Sequence, residues 1–524
     1  MPRTALIIGN NALRGSLIGQ YKDLGYAVSL MEELPGQEQA GNLLPASVPD
    51  QVVVLTSRST PDSRAVALLP LLAKAWKGQS AQRPPLHLLL QEASTLRMLE
   101  VSDFPPEVNE VLDIYPFTME IAWAENILVR LPGPAAKSDQ NGNKAKTGSH
   151  PRAGLDRQPI TKESRQFAHL VLMGFDSYAQ EIALMAARVA HFPNYDGKAA
   201  NPLRTRITVI APGISESKDK FISRYRSLFE NSYYRTIYIK EKRSTLHHPM
   251  YEGRREDFVD VEWEFADGQP SSSVVVDKLA LWAGDGGRQL TLVISGADDS
   301  GNIGSAISLP DAVYDCQIPV WVRLRQDIMS SSILQSPKYA GLIPFGMEDC
   351  GYSVGTPLLR MARFLNYFYK CSYGDKAAPS TLPIEMVDQA WRAAGPLKMR
   401  LSSIYNVMTM AGKMHSVGHN PEDLSNYYAL TKEEIEVLSR LEHNRWSVER
   451  LLSGTRPCTD QEREAIRNDI SLKKEYKRRD IHYDLCSYGE LGVDETGKNV
   501  RIYDYALTAG IPLIVESYLK EGEV

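Results

Sequence analysis

The stretch His169-Leu-Val-Leu-Met173-Gly174-Phe-Asp176-Ser-Tyr-Ala179 decides the class of fold. An apolar run of strand length meets a glycine, and an alanine-rich helix follows from Ala179 to Ala190. A strand that enters a helix through a glycine turn opens a doubly wound parallel sheet, with the helix N-terminus directed at a nucleotide's phosphates. Against the pattern Gly-x-Gly-x-x-Gly/Ala, Gly174 and Ala179 fit, while Asp176 stands at the middle glycine. A carboxylate there repels a pyrophosphate, so either the ligand is no ordinary dinucleotide or Asp176 turns away. The next strand, Arg206 to Ile210, ends in Ala211-Pro212-Gly213 and lacks the acid that clamps a ribose.

The N-terminus repeats this plan. Thr4-Ala-Leu-Ile-Ile8 reads as a strand, Gly9 as the turn, Ser16 to Leu24 as a helix, and Ala27 to Leu30 as a second strand followed by Glu32. Asn11 and Arg14 stand where the second and third glycines belong, which crowds the phosphate position. Val52–Thr56, Leu86–Leu90 and Val111–Ile114 add strands, and Ala65–Trp76 and Thr118–Arg130 add helices.

Further along come Leu290-Thr-Leu-Val-Ile-Ser295, Gly296-Ala-Asp298-Asp299-Ser-Gly-Asn302 and Ile318-Pro-Val-Trp-Val-Arg323. With the Gly174 turn, residues 166–345 resemble the potassium-transport nucleotide-binding family TrkA-N. The resemblance implies a Rossmann fold that binds NAD or an adenine nucleotide and regulates transport. On that footing Gly174, Asp176, Ala179, Asp298 and Asp299 are the expected cofactor-binding residues, joined by Gly9 and Glu32 in the first half. Read alone, Asp298-Asp299 serves equally as a loop cap. Asp257-Phe-Val-Asp-Val-Glu-Trp263-Glu-Phe265, within an insertion spanning 240–275, receives no role.

Residues 133–165 read as a flexible linker, because Gly133 to Pro159 holds almost no large apolar side chain. A helical connector over 346–425 is expected from helices at Leu358–Tyr369, Pro383–Ala394 and Ser402–Met414. Arg360, Arg363 and Lys370 could clamp a phosphate there, although a solvated helix face is the preferred reading.

The last segment turns on Leu438-Ser-Arg-Leu441-Glu-His-Asn-Arg-Trp446-Ser-Val-Glu-Arg-Leu-Leu-Ser-Gly454. Leu438, Leu441, Val448, Leu451 and Leu452 form a core stripe at helical spacing, and Gly454 suits a left-handed C-cap. Glu442, Arg445, Trp446 and Glu449 share a second face. They read either as an ion-paired scaffold covered by an indole or as a stacking and charge-pairing surface for a ligand. Thr431-Lys-Glu-Glu434 is a capping box that starts this helix. His443-Asn-Arg-Trp446 and Glu449-Arg-Leu-Leu452, with Lys477 to Leu485, Ser487 to Leu491, Arg501 to Tyr505 and Ile511-Pro512 downstream, resemble the ryanodine-receptor-type (RyR) repeat domain. That resemblance implies a small, non-enzymatic helical sensor of nucleotide-like ligands. It brings His482, Tyr503 and Tyr505 toward Glu442, Arg445, Trp446 and Glu449 as the expected ligand site.

The chain of 524 residues is 43% hydrophobic with a net charge of -5, which argues against a nucleic-acid partner. Five scattered cysteines without a Cys-x-x-Cys pair, and the lack of a long apolar run, predict a reduced, cytoplasmic protein. No Gly-x-Ser-x-Gly elbow, Walker loop or His-Glu-x-x-His pattern occurs, and His247-His248 before Pro249 is expected in a solvated loop rather than on a metal. The expected fold is α/β plus α. Two tandem Rossmann-like doubly wound domains (1–132 and 166–345) precede the connector and an RyR-type domain over 426–524. The expected function is a ligand-sensing regulatory protein, without catalysis, metal or nucleic acid, acting as a homodimer with a nucleotide-like ligand. The alternatives are a regulatory subunit acting in trans on an ion channel or transporter, and an NAD-dependent or nucleotide-processing enzyme.

Overall fold

A computed structural model describes residues 3–35, 44–45, 47–79, 83–133, 150–249, 257–326, 336–339, 341–354, 357–372, 378–428, 430–494 and 496–522. Two parallel sheets carry the α/β part. The first holds β1 (Thr4–Ile8), β2 (Ala27–Met31), β3 (Gln51–Leu55), β4 (Pro85–Leu89) and β5 (Asp113–Phe117), in the order β2-β1-β3-β4-β5. This is the flavodoxin-like doubly wound order. β5 starts two residues later than hydrophobicity alone indicates, because the strand buries Asp113.

The second sheet has eight strands: β6 (Phe167–Met173), β7 (Thr205–Ala211), β8 (Tyr233–Tyr238), β9 (Arg243–His247), β10 (Val261–Asp267), β11 (Arg288–Ile294), β12 (Val320–Arg323) and β13 (Leu342–Phe345). Their order is β13-β12-β11-β6-β7-β10-β8-β9, parallel except for the antiparallel pair β8 and β9. Without that hairpin, the order β10-β7-β6-β11-β12-β13 is the Rossmann order 3-2-1-4-5-6. The unassigned Asp257–Phe265 stretch therefore supplies the third Rossmann strand, and the inserted element is the hairpin that widens the sheet beyond it.

The polar residues of β10 hid its central position from hydrophobicity. Glu262 lies opposite Arg206 and accepts its Nε–H at 2.6 Å, and Glu264 lies opposite Thr208 and accepts its hydroxyl at 2.9 Å. Cross-strand partners satisfy one face, while Val261, Trp263 and Phe265 fill the core on the other. His247 also departs from the expected loop. It ends β9, with its ring stacked on Tyr234 at 4.1 Å.

Gly9 and Gly174 both adopt positive φ, 97° and 116°. A Cβ at Gly174 would stand 2.0 Å from the Ser295 carbonyl oxygen, and one at Gly9 would stand 2.3 Å from that of Leu55. Each turn passes hard against the end of a neighbouring strand, which only glycine permits.

The pieces pack on one another extensively. Helix Met119–Leu128 lies along helix Ser177–Val189. After β13 the chain crosses back to the first sheet, where Trp123 Nε1–H donates to the Met347 carbonyl at 3.1 Å and Tyr352 stacks on Phe117 at 3.6 Å. The expected linker is partly core: Ala153, Leu155 and Ile160 are buried, and Arg130 pairs with Asp156 at 3.1 Å. A few well-spaced apolar residues are enough to dock a segment that composition marks as polar. Residues 134–149 lie outside the described residues.

Gly174→Ala should destabilise the protein by roughly 2–4 kcal/mol, because the Cβ overlaps backbone that cannot move away. A denaturant melt in which the alanine variant matches the wild type would show that the turn does not need its glycine.

Candidate functional site

Helix Lys432–Leu452 is set at its start by Thr431, whose Oγ accepts the Glu434 N–H at 3.2 Å while Glu434 accepts the Thr431 N–H at 2.7 Å. Both halves of the capping box are formed. At the other end Gly454 takes φ 88°. Leu438, Leu441, Val448 and Leu451 are fully buried, as their spacing predicts.

The second face is buried too. Arg445, 2% exposed, donates from Nε and Nη2 to both oxygens of Glu442 at 2.9 and 2.8 Å, and from Nη1 to Glu449 at 2.5 Å. Lys413, from helix Met410–Ser416, adds its ammonium to Glu442 at 2.8 Å. Ser402, from helix Leu397–Met408, donates to Glu449 at 3.0 Å. Burial raises the Glu442 pKa, but Arg445 and Lys413 outweigh it and hold the carboxyl at about 2. A cavity of about 30 Å³ between Arg130, Asp156, His191, Lys413 and Arg445 adjoins this network. It has room for about two waters and not for a nucleotide.

Trp446 is different. It is half-buried, its ring lies 5.7 Å from His443 and 4.9 Å edge-on from His482, and the Arg450 guanidinium sits 5.7 Å over it. Tyr488 extends the aromatic surface 5.9 Å from His443, flanked by Arg440 at 5.7 Å and Arg501 at 5.3 Å. Burial, together with Lys477, Arg450 and Lys473, pushes the His482 pKa well below its ordinary value. The imidazole beside the indole is therefore neutral.

The structure thus divides the expected ligand residues. Glu442, Arg445 and Glu449 satisfy one another in the interior, whereas Trp446 and His482 meet at a partly open surface. Tyr503 and Tyr505 lie on helix Arg501–Ala509, where Tyr503 directs its hydroxyl to Asp494 and the intervening Asp504 reaches back to His443. Arg450, one turn beyond Trp446, and Lys413 were missed. The first was legible from its i+4 spacing, but nothing local marks the second.

The two glycine turns are closed by their own side chains. Asp176 caps helix Ser177–Val189, accepting the Ala179 N–H at 2.9 Å and the Ser295 hydroxyl at 2.7 Å, and pairs with Arg323. Asp298 accepts the Gly301 N–H at 2.8 Å and so caps its helix, while Asp299 accepts the Arg325 N–H at 3.0 Å and ties the helix to the end of β12. In the first turn Asn11 accepts the Leu13 N–H at 3.0 Å, and Glu32 pairs with Arg14 at 2.5 Å. The N–H groups that would hold a pyrophosphate are in part already occupied. Among the described residues there is no group of three or more His, Cys, Asp or Glu arranged to hold a metal, and no helix is long and apolar enough to cross a membrane.

No family model matches the chain, and no curated protein matches it. The TrkA-N and RyR resemblances therefore rest on the quoted residues alone. Among solved structures, the human SLO3 gating ring is similar over 65% of this chain and 80% of that one, at 7% identity and a TM-score of 0.32.

Two predictions follow from this geometry. Arg445→Ala leaves two buried carboxylates with a single ammonium, so it should cost about 3–5 kcal/mol of stability; a loss under about 1 kcal/mol in a denaturant melt, the size of a surface pair, would show that the network is not structural. The other concerns His443, whose Nε2–H donates to the Cys486 carbonyl at 2.9 Å while Nδ1 faces Asp504 at 3.2 Å. Burial lowers the His443 pKa, but the Asp504 and Cys486 hydrogen bonds outweigh it, so the value is raised; burial raises that of Asp504. The folded protein then holds more protons than the unfolded chain. The His443 contribution is fully present below about pH 6.5 and is lost as pH rises through its raised value. The melting temperature should fall from neutral into mildly alkaline pH, and His443→Gln should flatten that slope. An unchanged slope in the variant would refute the assignment.

Proposed function

We propose that the protein is a non-catalytic, ligand-responsive regulator whose effector is a planar, anionic, nucleotide-like molecule stacked on Trp446. The half-buried indole, edged by His482 and overlain by Arg450, carries this reading. Stacking of a base on such a ring contributes about 1–3 kcal/mol. Arg450 supplies the charge that the locked Arg445 does not. A signal has a short way to travel: His443 contacts Trp446, pairs with Asp504 and sits on the same helix as the buried Glu442–Arg445–Lys413 network. The self-capped turns at Asp176 and Asn11 favour this surface over a dinucleotide at either sheet edge.

Calorimetric titration with mono-, di- and cyclic nucleotides tests the proposal. Saturable binding without turnover is expected, with Trp446→Leu weakening it by about tenfold or more and Asp176→Gly leaving it unchanged. Undiminished affinity in Trp446→Leu, or multiple turnovers of the bound nucleotide, would overturn it.

A further inference from the structure

At the amino edge of the first sheet, opposite the edge where nucleotides bind in such folds, several arginines gather around one carboxylate. Asp113, 2% exposed at the start of β5, accepts from the Tyr115 hydroxyl at 2.6 Å, Arg363 at 2.8 Å, the Trp391 indole at 3.1 Å and Arg400 at 3.2 Å. Burial works to raise its pKa, and Arg363 and Arg400 outweigh it and hold it below the ordinary carboxylate value. Arg83, just ahead of β4, donates to the Asn109 carbonyl oxygen, and Arg400 donates to the Asn109 side chain at 3.5 Å, so the arginines form one contiguous group.

In two respects the arginines of this group outnumber the acceptors around them. The first is charge: Arg83, Arg363 and Arg400, with Arg392 near Arg83, face Asp113 and, at 3.4 Å from Arg363, Asp388. Guanidiniums stay protonated at every working pH, so partly buried excess positive charge cannot be relieved by losing a proton. The second is hydrogen bonding. The Nε–H groups of Arg83, Arg363 and Arg400 are all buried and have no partner among the described residues, and Arg400 is only 5% exposed. Asp113 already accepts from four donors, with the Trp391 N–H shared between its two oxygens, and has little capacity left for them.

We propose that Arg83, Arg363 and Arg400 form a site for a phosphate-type oxyanion, either inorganic phosphate or the phosphoryl group of a small phosphomonoester. A tetrahedral oxyanion offers several acceptors at once and matches the forked guanidinium. Arg83 and Arg363 are half-buried and Arg392 is exposed, which opens the group to solvent on one side. The ligand would join the first sheet to the three helices Pro357–Ser372, Ile384–Arg392 and Leu397–Met408, which contribute Arg363, Arg392 and Arg400. This site is independent of Trp446 and of the effector proposed above.

Isothermal titration of the full chain with inorganic phosphate, pyrophosphate and glycerol 3-phosphate, a monophosphate without a ring to stack on Trp446, tests the assignment, with sulfate as a control for general anion affinity. Saturable binding is expected, weakened about tenfold or more in Arg83→Gln and unchanged in Trp446→Leu. Binding of inorganic phosphate identifies the free ion as a sufficient ligand; binding of the monophosphate alone, with the same loss in Arg83→Gln, identifies a phosphomonoester. Should Arg83→Gln fail to fold, Arg83→Lys keeps the charge and removes the fork, and a several-fold loss there supports the same site. The proposal is overturned if the wild type binds none of the three, or binds them equally well in both Arg83 variants.

Discussion

A guanidinium enclosed by protein must find acceptors for its charge within the fold, and Arg445 finds them on its own helix. Glu442 and Glu449 hold it at i-3 and i+4, and the same carboxylates also accept from Lys413 and Ser402. An intrahelical pair is thereby turned into a junction of three helices. On the outer side Asn444 donates to Asp260 at 3.1 Å, and Asp260 also meets His191 at 2.8 Å. Since Asp260 immediately precedes β10, the same helix is tied to the third Rossmann strand. Removing an internal partner from such a network costs far more than removing a surface pair, so the arrangement of these three helices depends on it.

The strand order 3-2-1-4-5-6 brings Gly174, Ser295 and Asp298 to the switch point where a dinucleotide would lie. The sequence fills that place from within: Asp176 takes up the helix N-terminus and is held by Ser295 and Arg323. The carboxylate stands in for a phosphate, and the glycine is kept for backbone clearance against Ser295. With Asp176 in that place, the recognition proposed above falls to the aromatic cluster around Trp446 and to the arginines beneath β5.

Much of this was legible in the sequence where the physics is local. Apolar runs before Gly9 and Gly174 marked the first strands, Thr431 and Glu434 marked a helix start, and the spacing of Glu442, Arg445 and Glu449 marked an ion-paired face. What escaped depends on partners distant in sequence. β10 looks too acidic for a central strand until Arg206 and Thr208 are placed beside Glu262 and Glu264. Lys413 lies 29 residues before Glu442 and carries no local sign of pairing. The 153–160 segment is polar in composition, yet Leu155 and Ile160 are buried. Arg363 was noted for phosphate chemistry, but Arg83 and Arg400 join it only through the meeting of β4, β5 and two separate helices.

The central claim is that the Arg445 network binds helix Lys432–Leu452 to helices Leu397–Met408 and Met410–Ser416 as one cooperative unit. Native-state hydrogen exchange measured across low denaturant concentrations tests it most directly. The account predicts that amides of Leu441, Val448 and Leu451 open with the same free energy and denaturant dependence as those of Ile404, Val407 and Met408. Exchange of the Lys432–Leu452 amides at a clearly lower free energy, while the Leu397–Met408 amides stay protected, would contradict it.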